Sequence, residues 1–157
     1  MAVGMLMEFI VGDKKRIGEG FSSLANIPLW QQPFVVAWAD FSLHLSPIDL
    51  DFLSEEVCRI AGVQPVTLTD SLTERVGGDG RTSSADVVSP RWVEMVARVL
   101  DHQVEGLAER WMARTAAEHH EQPGEPNEDT LRALRELVHA CRLATEKRLS
   151  VVHAWSL

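Results

Sequence analysis

The chain has no tyrosine and only two cysteines, Cys58 and Cys141, among 157 residues. Neither cysteine has a C-x-x-C neighbour, which excludes zinc-ribbon spacing, and a stapled disulfide scaffold needs more of them. Both read as buried thiols acting as small hydrophobes. No apolar run approaches the roughly 20 residues that cross a bilayer. The apolar start MAVGMLMEFIVG has no positive charge ahead of it, is interrupted by Glu8, and is followed by Lys14-Lys15-Arg16, which does not match a secretory leader. The glycine pattern of a P-loop is missing, as is G-x-G-x-x-G, so the GGDG stretch at 77–80 reads as a flexible loop that could order on a partner. No repeat period or low-complexity tract is present.

What is there is ordinary for a folded chain: 45% hydrophobic residues, 24% charged residues and enough length for one domain over residues 1–157. The net charge is −8. Residues 90–126 carry seven acids against four arginines, whereas 127–157 carry four acids against five basic residues. An acidic surface repels phosphate backbones and anionic membranes, so neither nucleic acid nor membrane is an expected partner. It steers basic proteins in. The expected location is the cytoplasm. No cofactor motif is present, and none is expected.

Periodicity outlines the elements. MEFIVG at 7–12 reads as a short strand. Asp13 caps a helix whose Ile17, Phe21 and Leu24 share a face. FVVAWADFSLHL at 34–45 alternates with period two and reads as an interior strand, with Val35, Ala37, Ala39, Phe41, Leu43 and Leu45 on the apolar side. SPIDLDFLSEEVCRIAG carries Ser46 as cap, Pro47 at the first helical position, Asp49 three residues after the cap, and Gly62 as terminator. Its expected buried face is Ile48, Phe52, Leu53, Val57 and Ile60. PVTLT at 65–69 reads as a strand, and 76–88 as a loop ending in a short strand. Ser89-Pro90 opens a helix expected to run to Ala117, and Asn127 caps the last one. SVVHAW at 150–155 reads as a strand that returns into the sheet. The fold class is α+β: a small sheet packed against helices, with a long C-terminal αα-hairpin.

The candidate chemistry is sparse. Asp40, Ser42 and His44 are the residue types of a hydrolase triad, but alternate residues on a strand lie about 6.6–7 Å apart, beyond the reach of a nucleophile and its base. No nucleophile elbow surrounds the serine. His102-x-x-Glu105 and Glu136-x-x-His139 have the spacing of a di-metal bundle. All four point away from the apolar stripes of their helices, so no metal site is expected. His119-His120 ends a fraying helix.

Two functions fit. The first is a non-catalytic protein-binding module, inhibitor- or immunity-like or regulatory, that engages a basic partner through Asp49, Asp51, Glu55 and Glu56, with Asp40 nearby and Trp30 as an interface aromatic. The alternative is a small enzyme or ligand-binding domain with a pocket at the end of strand 34–45, His44 acting as acid–base group beside Asp40 and Ser42. A homodimer burying Trp30 is compatible with both.

Overall fold

A computed structural model describes residues 5–22, 29–43 and 45–157. The five strands are β1 (Leu6–Gly12), β2 (Val35–Asp40), β3 (Leu72–Gly78), β4 (Ser83–Val88) and β5 (Ser150–Ser156), joined in the antiparallel order β2-β1-β5-β4-β3. With α1 (Lys14–Ser22), α2 (Pro47–Ala61), α3 (Pro90–Ala97), α4 (Val104–Glu118) and α5 (Glu128–Lys147) they make the α+β fold.

Strand alternation splits the core in two. Met7, Phe9, Val11, Ala39, Phe41 and Val151 face the α2–α5 layer, where Leu50, Leu53, Trp92, Leu107, Trp111, Leu134 and Leu137 are buried against them. Ile10, Ala85, Val87, Val152 and Ala154 face Ile17 of α1. Two side chains packed on one sheet face are what period-two sequences bury, and helices at 3.6-residue period cover them. Gly18 lets α1 lie directly on β3, since a Cβ there would collide with the Val76 carbonyl.

Local signals hold where local chemistry decides them. Asp13 Oδ1 accepts the Arg16 amide at 3.0 Å and starts α1. Ser46 and Asp49 form the capping box of α2, and Gly62 closes it at φ 68°. Asn127 accepts the Thr130 amide at 2.8 Å and starts α5. Cys58 and Cys141 are free and buried. Leu24 and His44 lie outside the described residues.

Four expectations are corrected. β2 is an edge strand, not an interior one; β5 takes the centre. The PVTLT segment is not a strand, because the Val66 carbonyl accepts from the Ser54 hydroxyl and Thr69 is held by Asp51, which pins the segment to α2. The GGDG stretch is built into a hairpin: Gly77 and Gly78 end β3, and Asp79 and Gly80 open the turn to β4. Asp79 Oδ1 accepts the amides of Arg81 and Thr82 at 2.7 Å, and these bonds hold its carboxyl well below the usual range. Gly78 and Gly80 take the positive φ the turn requires. The helix from Pro90 to Ala117 is two helices. Arg142 of α5 donates to the carbonyls of Ala97 and Val99, and Gln103 Oε1 accepts the Leu100 amide at 2.9 Å. Those bonds satisfy the groups that a continuous helix would have paired. Among the described residues no helix is long and apolar enough to cross a membrane.

Candidate functional site

The acidic helix is the first place to look, and half of its acids are not on the surface. Asp49 and Glu56 are 1% and 2% exposed. Ile48, expected in the core, is 43% exposed instead. The cations of α4 turn the helix this way. Arg110 Nε and Arg114 Nη1 each lie 3.4 Å from Glu56, and Arg114 Nη2 lies 2.7 Å from Glu55. Arg114 also sits over the Phe52 ring at 4.6 Å. Asp49 accepts from the Ser46 amide and hydroxyl at 2.8 and 2.9 Å, and His119 Nε2 stands 3.1 Å away. Asp51 accepts from the Thr69 amide at 2.9 Å. Each acid expected to meet a partner therefore already has one inside the chain, and the expected exposure of Asp49 and Glu56 is corrected by these contacts.

Among the described residues, serine, aspartate and histidine come together at Ser46–Asp49–His119 and at Ser84–Asp86–His153, and neither has the order a relay needs. In Ser46–Asp49–His119 the aspartate sits in the middle and the serine donates to it. In the sheet, Ser84 Oγ donates to Asp86 Oδ2, and His153 faces Asp86 in register with both ring nitrogens unbonded. A nucleophile must instead donate to the histidine. The strand-end group is no closer to a triad. Asp40 Oδ1 accepts the Ser42 amide at 2.9 Å, and Ser42 Oγ accepts the Met7 amide at 3.1 Å. These bonds turn the chain at the end of β2. The metal spacing also disperses: Glu136 Oε2 accepts the Asp40 amide at 3.3 Å, while His102, Glu105 and His139 are exposed.

The corner formed by the start of β1 and the end of β2 is different. The Phe41 amide donates to the Met7 carbonyl at 2.8 Å, so the Glu8–Asp40 pair next to it is a non-hydrogen-bonded pair, the position where facing side chains come closest. Two carboxylates face each other there, which destabilises a sheet. Burial pushes the Glu8 carboxyl above its ordinary value; Asp40 adds to the rise, and the Trp38 indole opposes it. The Trp38 Nε1 proton is buried and leans toward Glu8 without reaching full hydrogen-bond geometry. Trp38 in turn stacks on Trp30, with ring centroids 5.4 Å apart at 27°. Trp30 is 44% exposed. The corner thus offers a flat indole face and two half-buried carboxyl groups that form no ion pair among the described residues. What such a set can do chemically is hold a guanidinium or ammonium group, by its ring face and by charge-assisted bonds.

Trp30 was legible in the sequence as an aromatic in a connection with no periodic demand for burial. Glu8 was not singled out as a site residue. Its signal was present, since a lone acid interrupts the alternation of MEFIVG, but its partner depends on strand register. The edge itself is guarded against strand addition. Glu136 occupies the outward Asp40 amide, and the register shifts at Val11/Gly12.

The burial of the Glu8 carboxyl, to which Asp40 adds, has a measurable consequence. The folded-state value of Glu8 lies above its reference value of 4.5, so the stability that its proton contributes is present below 4.5 and is lost as pH rises through the folded value. Glu8→Gln is expected to raise the melting temperature at pH 7 and to leave it unchanged near pH 4, as read by thermal melts at both values. An equal shift at the two pH values would mean that charge is not the cause.

Comparison with models of known protein families, with curated proteins and with solved structures returned no match.

Proposed function

We infer that this protein is a non-catalytic binding module, of inhibitor or regulatory type, that engages a basic protein partner through Trp30, Trp38, Glu8 and Asp40. The observation that carries the reading is a facing pair of carboxyl groups, with no ion-pair partner among the described residues, beside a half-exposed indole stack. Glu55 and Glu56 of α2 are engaged by arginines of α4, Asp49 by Ser46 and His119, and Asp51 by Thr69. The Glu8–Asp40 pair, in contrast, has no ion-pair partner among the described residues and gains from a cation that a partner brings. An arginine or lysine side chain laid on Trp30 would reach that pair and lower the repulsion. Such contacts contribute about 0.5–2 kcal/mol from the ring face when desolvated. The net charge of −8 speeds the encounter.

The alternative, an acid–base site built on His44, draws no support from Ser42, whose hydroxyl is engaged by the Met7 backbone. A homodimer centred on Trp30 would bring the same carboxyl pair against its own copy, which disfavours it.

The test is capture of partners on the immobilised protein at low and high salt, with wild type beside Trp30→Ala and Asp40→Asn. The expected result is a basic protein retained by wild type at low salt, released by high salt, and bound about tenfold more weakly by each variant. A captured set that neither variant alters would sink the reading.

A further inference from the structure

At the opposite end of the sheet a cleft of about 330 Å³ lies between the start of α3 and the end of α5. β4 hands the chain to α3 through Ser89, and α5 hands it to β5 through Arg148. The floor of the cleft is apolar: Val88, Val93 and Val151 are 2%, 5% and 1% exposed, with Leu149 beside them. Its rim carries one acid, Glu94 of α3, and one base, Arg148 at the end of α5. Both are exposed, and neither forms an ion pair among the described residues.

We propose that this cleft binds a zwitterionic amino acid with an aliphatic side chain. The volume lies at the low end of small-molecule pockets. The valine floor takes a branched hydrocarbon body. One acid and one base at the rim call for a head group with both charges. The ligand carboxylate meets the Arg148 guanidinium in a charge-assisted pair, and its ammonium meets Glu94. A simple aliphatic acid would set a negative charge near Glu94, and a simple amine would set a positive one near Arg148. The zwitterion avoids both penalties and pairs with both rim charges. This site shares no residue with the Trp30 corner, so either can fail without the other.

Arg148 supplies a variant that separates binding from folding. Its backbone sits in the left-handed region at φ 55°, where glycine is at ease and other residues are not. Arg148→Gly therefore removes the cation while relaxing the turn. The experiment is titration of the full chain with L-leucine to about 10 mM, in the range of weak metabolite affinities, followed by calorimetry and by thermal shift. The expected result is saturable binding of L-leucine, with 4-methylpentanoate and 3-methylbutylamine binding at least about tenfold more weakly. Arg148→Gly and Glu94→Gln should lose that binding, and Arg148→Gly should melt no lower than wild type. Absence of saturable leucine binding overturns the proposal. So does equal binding of the two single-charge analogues, or leucine affinity unchanged in Arg148→Gly.

Discussion

Replacing His153 with leucine is expected to stabilise the protein at pH 7 by about 1–3 kcal/mol, the range for removing buried polar atoms that have no hydrogen-bond partner. His153 lies on the central strand, is 3% exposed, and has neither ring nitrogen bonded. Its ring packs 5.0 Å from Phe9, and its register neighbour on β4 is Asp86, which Ser84 and Arg75 already engage. Leucine keeps the apolar contact and removes the two unsatisfied atoms. Acid adds a second effect. Burial lowers the His153 value from 6.5 to about 4, so the imidazole must enter the folded state neutral. The unfolded chain takes up the proton first. The His153 contribution to stability is therefore whole above pH 6.5 and is lost as pH falls from 6.5 toward about 4. The loss runs at about 1.4 kcal/mol per pH unit, or about 3 kcal/mol across the window. Urea unfolding at several pH values between 7 and 4 checks this. The advantage of His153→Leu should widen as pH falls, and parallel curves for the two proteins would refute the account.

The second large effect belongs to Glu56. Its carboxylate is 2% exposed and is approached by Arg110 and Arg114 at 3.4 Å and by Arg59 at 3.6 Å. The three arginines reach solvent at one end, but the glutamate does not. Removing the cations leaves a buried charge uncompensated, which costs about 3–5 kcal/mol. Arg110→Met with Arg114→Met keeps the aliphatic stems that cover α2 and isolates the charge effect. The double variant is expected to lose stability near the lower end of that range, because Arg59 remains. Adding Glu56→Gln to it should recover part of the loss, since the amide carries no charge to desolvate. A triple variant no more stable than the double one would show that the arginines act by packing alone.

These contacts explain which parts of the molecule were legible in its sequence. The limits of α2 were readable because Ser46, Pro47, Asp49 and Gly62 act within a turn of themselves. The start of α5 at Asn127 was readable for the same reason. The two-sided character of β2 and the return of β5 to the sheet followed from period-two alternation. β3, with the sequence LTERVGG, had no apolar pattern to announce it, because it lies at an edge and buries little. The break after α3 was invisible, because the bonds that permit it come from Arg142, more than 40 residues along the chain.

The candidate site divides in the same manner. Trp30 and Asp40 could be named from sequence as an interface aromatic and a polar strand end. Glu8 joins them only through the β1–β2 register, which couples residues 32 positions apart. The acids of α2 looked like an exposed face because helical period shows which residues share a side, not what that side packs against. Arg110, Arg114 and His119 decided it.

By itself the sequence determined the composition of the surface charge, the class of fold, the helix caps and the alternation that builds two sheet faces, all of which depend on neighbours within a few residues. Only the tertiary structure decided which strand is central, where the long helical segment breaks, that Asp49 is buried beside His119 and Glu56 beside arginines, and that Glu8 confronts Asp40. Those outcomes rest on pairings between distant segments, where a charge is costly or favourable according to what the fold sets against it.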